Sequence, residues 1–281
     1  MISYNENHPY TAEWLRDLVQ RGLIPEGKVD ARDIREVRAS DVQHLTQWHT
    51  FAGIGGWPLA LELAGWPASR PVWTGSCPCQ PFSAASRRKP DPTKDSRHGL
   101  WAVWCALIKE CMPAVIFGEQ VAWPAGRKWL ATVSANLETL GYQFAATDLC
   151  AAGSGAPHIR QRLFWGAFLA DSPGRGWQGQ RVQLQREWDG SYKASGRGKT
   201  DHSRADVWRG DGIKWALCGR TKTRPFESGT LPVAYGVPQR VDKIRGYGNA
   251  IVPQVAAQFI RAFVGACSDQ EQVTHTAGVC R

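Results

Sequence analysis

Short apolar runs alternate with amphipathic stretches through the first part of this 281-residue chain, and their lengths separate strands from helices. Residues 1–4, 44–50, 71–74, 113–117 and 162–169 are brief apolar runs that read as buried strands. Trp14, Leu15, Leu18 and Val19 fall on one side of a helix over 9–21, which Gly22 and Pro25 close. Further helices are predicted from Leu59 to Ala64, over 98–111, and over 129–140, where Leu130, Val133 and Leu137 lie a turn apart. A last helix over 255–264 carries Phe259, Ile260 and Phe263 on its apolar side. Strands that alternate with helices predict an α/β fold with a doubly wound, mostly parallel, Rossmann-like sheet.

The pattern breaks at Asp171, beyond which Gly, Arg, Ser and Trp replace the aliphatic runs. The expected organisation is a large domain over 1–170 completed by 246–266, a small domain over 171–245, and a disordered tail over 267–281. Hydrophobic residues at 43% and charged residues at 21% suit a soluble globular protein. Neither a signal peptide nor an uninterrupted membrane-length apolar run is evident, which predicts no membrane partner. Eight cysteines lack the paired spacing of zinc sites, so no metal is expected and a reducing cytoplasm is. A net charge of +9 suits a polyanionic partner.

Cys79 stands out on chemical grounds. It follows the strand at 71–74, and Pro78 and Pro81 restrict the backbone on both sides of it. A ligand-facing thiol belongs at such a strand end in an open α/β sheet. Taken alone, the cysteine could equally be a packed side chain or half of a metal site with Cys77.

The surrounding Pro78-Cys79-Gln80-Pro81-Phe82-Ser83 resembles the catalytic loop of the C5-cytosine DNA methyltransferases. Phe51-Ala-Gly-Ile-Gly-Gly56 resembles that family's cofactor motif, and Glu119-Gln-Val121 its Glu-Asn-Val motif. His158-Ile-Arg-Gln-Arg162 resembles its Gln-x-Arg-x-Arg motif, and Gly248-Asn-Ala-Ile-Val-Pro253 its C-terminal motif. The short, phage-type members are the nearest in pattern.

The resemblance implies a DNA (cytosine-5)-methyltransferase that uses S-adenosyl-L-methionine and acts on a base flipped out of double-stranded DNA. Cys79 would add to cytosine C6, Glu119 would supply a proton at N3, and Arg160 and Arg162 would contact the base or a phosphate and favour the thiolate. Phe51, Gly53, Gly55, Gly56, Asn249 and Ala250 would line the cofactor pocket. Gln80, Ser83, Arg87, Arg88 and Lys89 would face DNA, and the basic small domain would read the target sequence. Gln120 and His158 depart from the family's asparagine and glutamine. A monomeric, bacterial or phage-encoded protein is expected, in a restriction-modification or phage setting. A DNA-binding relative without catalysis and an RNA cytosine methyltransferase are the competing readings.

One feature of the motif order is unusual. The family places two acidic motifs between the glycine motif and the cysteine loop, and the stretch from Gly56 to Cys77 has no room for them. Asn5-Glu6-Asn7 and Arg32-Asp33-Ile34 resemble those motifs and lie upstream instead. A local permutation is predicted, with Glu6 at the cofactor ribose and Asp33 and Ile34 at adenine; an unrelated extension over 1–45 is the alternative. Under the permutation, a right-handed crossover would put the helix after Gly56 on the face of the sheet opposite its usual one.

Overall fold

Val72 and Trp73 are neighbours on one strand and are buried in different cores, and that alternation organises the molecule. The computed structural model of the chain describes residues 1–78, 99–156, 158–169, 213–218, 222–227 and 240–277. The first half runs β1 (Ile2–Asn5), α1 (Pro9–Gln20), β2 (Lys28–Asp30), α2 (Ala39–Val42), β3 (Gln47–Thr50), α3 (Gly56–Leu63) and β4 (Val72–Gly75). Then come α4 (Leu100–Cys111), β5 (Val115–Val121), α5 (Pro124–Thr139), β6 (Tyr142–Cys150) and β7 (Gln161–Leu169). A hairpin of β8 (Ile213–Cys218) and β9 (Lys222–Glu227) forms a separate two-stranded sheet. The helices α6 (Arg240–Asn249) and α7 (Pro253–Ala277) follow.

Seven strands form one sheet in the order β2-β1-β3-β4-β5-β7-β6. The pairings from β2 through β5 are parallel, and β7 runs antiparallel to both β5 and β6. The predicted α/β fold is therefore present. So is the permuted order, since the strand ending at Phe51 lies between the strand ending near Glu6 and the cysteine-loop strand. The first strand of the chain is thus not the first strand of the sheet's logic, and residues 1–45 are not an appendage.

Two apolar layers cover the sheet. On one face Val72, Val115, Phe117 and Phe164 pack against Trp57, Ala60 and Leu61 of α3 and Val255, Phe259, Ile260 and Phe263 of α7. On the other, Trp48, Trp73, Ile116 and Trp165 meet Trp101, Trp104 and Ile108 of α4 and Val133 and Leu137 of α5. Tyr4 stacks on His49 with ring centroids 5.1 Å apart and packs with Leu15, which puts α1 on the first face with α3.

This arrangement corrects the expected right-handed crossover. The connections β3–α3–β4 and β4–α4–β5 step the same way across the sheet, yet α3 and α4 lie on opposite faces. The β1–α1–β2 and β2–α2–β3 connections share the hand of β4–α4–β5, the hand nearly all such crossovers take. The β3–α3–β4 connection is the exception. The cause is occupancy: Trp48 and Trp73 are already covered by α2 and α4, while α3 has α7 to pack on. Arg261 of α7 also donates to the Leu63 carbonyl at the end of α3.

Other departures are smaller. The pattern gave no strand at 142–150, because β6 is an edge strand with much of its length exposed. The helix α5 begins at Pro124, ahead of the predicted 129, with proline suited to its first turn. The helix α7 continues to Ala277, through much of the expected tail. The stretch Gly246–Cys267 has the length and mean hydropathy, 1.4, of a membrane span. Half of it is buried against the sheet, and residues 250–252 break it between α6 and α7.

Candidate active site

The strands β1, β3, β4 and β5 run the same way, so Glu6, Phe51 and Ser76 emerge along one edge of the sheet, with Glu119 near the corresponding end of β5. Phe51 leaves β3 with φ +49°, a conformation that costs a bulky residue energy and marks a constrained turn. Gly53 and Gly55 follow with φ of +56° and +79°, values that glycine adopts without strain. The space above the Gly53 Cα is open. Glu6 Oε2 accepts from the Gly53 backbone N–H at 2.9 Å, and Glu6 Oε1 from the His8 N–H at 3.0 Å. A carboxylate has about four lone-pair positions, so two remain for a diol.

The rest of this pocket is built from three directions. The Phe51 ring packs edge-on to Trp104, with centroids 6.0 Å apart. Asp33 caps a short 3₁₀ turn by accepting from the Arg35 N–H at 2.9 Å, and the Asn7 amide donates to it at 3.4 Å. Ile34 points inward, 2% exposed beside Trp48, so only its backbone faces the strand ends. From the C-terminal side, Ile251 closes on Gly56 so tightly that a Cβ there would lie 2.6 Å from the isoleucine side chain. Asn249 is exposed at the end of α6, and Ala250 follows it. A bare glycine turn beside a carboxylate fits S-adenosylmethionine, whose ribose needs acceptors and whose amino-acid end needs close backbone approach.

A second group of residues meets one strand away. Glu119 on β5 is 7% exposed, and its Oε1 lies 2.7 Å from Arg162 Nε on β7. Burial pushes the Glu119 carboxyl above the usual range, while the charges of Arg162 and Arg160 oppose that rise. Gln120 donates from Nε2 to the Cys77 carbonyl at 3.1 Å, and its Oε1 accepts from the Val121 N–H at 2.9 Å. The side chain that replaces asparagine thus still ties β5 to the backbone two residues before Cys79.

Arg160 is placed differently from the expectation of a base or phosphate contact. Its Nη2 donates to the Gly248 and Ala250 carbonyls at 2.9 and 2.7 Å, which joins the approach to β7 to the C-terminal motif. Burial lowers its pKa, as does the charge of Arg162. His158 is held below its ordinary value, first by burial and then by Arg160.

Sequence reasoning missed Ser76 and Trp57. The Trp57 indole N–H on α3 donates to Ser76 Oγ at 3.1 Å. The alternation of β4 carried a signal for Ser76, which falls on the side of Val72 and Thr74; nothing in the pattern marked Trp57. Cys79, Gln80, Ser83, Arg87, Arg88 and Lys89 lie outside the described residues, as do most of 171–245.

A mostly parallel, doubly wound sheet with a glycine turn and an acidic residue at adjacent strand ends defines an α/β protein whose open strand-end edge is the place where such sheets bind ligands. Residues 67–200 match the family model for C-5 cytosine-specific DNA methylase, so the resemblance read from the motifs holds over this segment. The Type II methyltransferase M.AgeI of Thalassovita gelatinovora is 31% identical over 106 residues, 37% of this chain. The aligned part is 24% of that protein's length. Among solved structures, the Dnmt2 methyltransferase of S. pombe shares 15% identity with a TM-score of 0.39, covering 61% of this chain and 51% of that one. A putative DNA modification methyltransferase from an E. coli prophage shares 15% with a TM-score of 0.36, covering 60% and 46%.

Proposed function

We propose that the chain is an S-adenosyl-L-methionine-dependent DNA (cytosine-5)-methyltransferase that acts on a flipped-out cytosine through Cys79. The observation that carries this reading is the pairing of Glu119 with Arg162 one strand from the cysteine loop, beside the turn that Glu6 holds.

The cofactor, when bound, supplies an electrophilic methyl group on a sulfonium. Cytosine C5 is a poor nucleophile until a thiolate adds at C6, a step assigned to Cys79. That addition raises electron density at N3, where Glu119, whose carboxyl burial raises above the usual range, would donate its proton. Arg162 then faces a carboxylate rather than a carboxylic acid, so the ion pair strengthens as the proton leaves. Glu6 and the Phe51–Gly55 turn would hold the cofactor, and Asp33 and the Ile34 backbone would take its adenine. Asn249 and Ala250 close the pocket on a segment that Arg160 holds in place.

Double-stranded DNA is the proposed substrate, in a bacterial or phage-infected cytoplasm. The basic segment after Ser83 and the small domain over 171–245 would supply phosphate contacts and target choice. Methyl transfer from labelled S-adenosylmethionine to duplex DNA and to transfer RNA, with the product mapped to cytosine C5, tests the proposal. Transfer to the duplex is expected. Transfer to the RNA alone, or to neither, would overturn it.

A further inference from the structure

We propose that Arg160 is a positioning residue for the cofactor pocket, its guanidinium clamping residues 248–250 against the glycine turn rather than contacting DNA. That the pocket takes S-adenosylmethionine rests on the function proposed above; the clamp itself does not.

The clamp starts from an anchored backbone. Arg160 stands just ahead of β7, and its carbonyl accepts from the N–H of the fully buried Ala151 at 3.0 Å. The short turn that opens at Ala151 is itself tied to α7, where Ser154 Oγ donates to Gln258 Oε1 at 3.0 Å. From this base Arg160 Nη2 reaches the Gly248 and Ala250 carbonyls, 88 and 90 positions away in sequence. Gly248 lies in the last turn of α6 and Ala250 just beyond it, where a helix has run out of its own donors. A cation at this end also meets the negative pole of the helix dipole.

The same geometry turns the side chain away from a phosphate. Nη2 is committed to two carbonyls, and Nε is buried with no hydrogen-bond partner among the described residues. A bidentate grip on a phosphate needs two adjacent nitrogens facing outward, and Arg160 has at most Nη1 to offer. Arg162, two positions on, instead directs its Nε at Glu119, 2.7 Å away. The two arginines of one motif thus serve different sites.

The clamped segment bears on the glycine turn from both of its ends. Gly246 is buried, and a Cβ there would lie 3.4 Å from the Ile54 side chain. Ile251 closes on Gly56 on the other side of the clamped carbonyls. Arg160 therefore sets the fraction of molecules in which this wall of the pocket is closed, and a ligand that needs the closed form loses affinity in proportion to that fraction.

The test uses the full-length chain, with Arg160→Met to remove the clamp and Arg160→Lys to keep the charge with a single nitrogen. Amide hydrogen exchange over residues 246–252 of the cofactor-free protein should run about tenfold faster in Arg160→Met, as for lost bonds to a charged group, and at an intermediate rate in Arg160→Lys. Calorimetry should show S-adenosylmethionine binding about tenfold more weakly to Arg160→Met. The slope of log K for duplex DNA against log salt should match wild type, whereas loss of a phosphate contact would reduce its magnitude by about 0.9. Unchanged exchange, unchanged cofactor affinity, or a slope reduced by that amount would overturn the inference. Acceleration spread equally over β3, β4 and β5 in both variants would mark a merely structural role and overturn it as well. Faster exchange confined to 246–252 in a chain whose wild type binds no S-adenosylmethionine would support the clamp and retire the functional reading instead.

Discussion

Glu6 Oε2 and the Gly53 backbone N–H are 2.9 Å apart, although 47 positions separate the two residues. The bond joins the first strand of the chain to the glycine turn of the third, and it exists because β1 and β3 are parallel neighbours. The acidic residue thus precedes in sequence the turn that it braces in the fold.

If Glu6 accepts the ribose hydroxyls, Glu6→Ala should weaken S-adenosylmethionine binding by about 1.5–3 kcal/mol, the range for bonds to a charged group. Asp33→Ala should act on the same step with smaller effect, because its carboxylate is shared with Arg35 and Asn7. Titration calorimetry on the purified chain checks both. Unchanged affinity in Glu6→Ala would confine Glu6 to bracing the turn.

Glu119→Gln preserves shape and removes the titrating proton, so methyl transfer should slow by about 10²–10⁴. Cofactor affinity should be retained, since Glu119 lies against Arg162 rather than against the glycine turn. The burial that raises its pKa sets the sign of the pH dependence: the protonated acid persists further toward neutrality, and the rate falls as pH rises through that pKa. Single-turnover rates across pH would show this alkaline limb in wild type and its loss in Glu119→Gln.

Gln120 spans the Cys77 carbonyl and the Val121 N–H, a reach that asparagine is one methylene short of. Gln120→Leu should remove the bond to the Cys77 carbonyl and loosen the backbone just before Cys79, slowing methyl transfer up to about tenfold at a hydrogen-bond cost of about 0.5–1.5 kcal/mol. Cofactor binding should change little. Parallel measurement of kcat and cofactor Kd separates the two.

His49 is fully buried at the centre of the sheet, with Nδ1 2.8 Å from Thr74 Oγ1, and burial pushes its pKa down from 6.5 to about 3. Below pH 6.5 the unfolded chain takes up a proton that the folded chain refuses. This group's contribution therefore favours folding above that pH and is lost progressively as pH falls toward 3, at about 1.4 kcal/mol per unit. Urea midpoints measured from pH 7 to pH 4 should fall less steeply in His49→Gln than in wild type. Parallel slopes would mean that other groups dominate acid unfolding.

The strands and helices that build the pocket were legible because each buries a periodic face. The Phe51 turn, Glu119 and the upstream Glu6 were singled out by the motif resemblance, and the sheet sets their strand ends along one edge. Three things could not. The edge strand β6 lacks a buried alternation, so its pattern is weak. The face chosen by α3 depends on α7, nearly two hundred residues later, filling the space beside it. The placement of Arg160 depends on which carbonyls lie opposite, and only the tertiary fold supplies that.

Covalent capture tests the central claim most directly. In a duplex bearing 5-fluorocytosine at the target position, the fluorine cannot leave as a proton does, so the adduct formed after thiolate attack at C6 should persist. With S-adenosylmethionine present, a stable protein–DNA species is expected whose linked residue, by mass spectrometry, is Cys79, together with its complete absence in Cys79→Ser. An adduct at Cys77, or methyl transfer by Cys79→Ser at the wild-type rate, would contradict it.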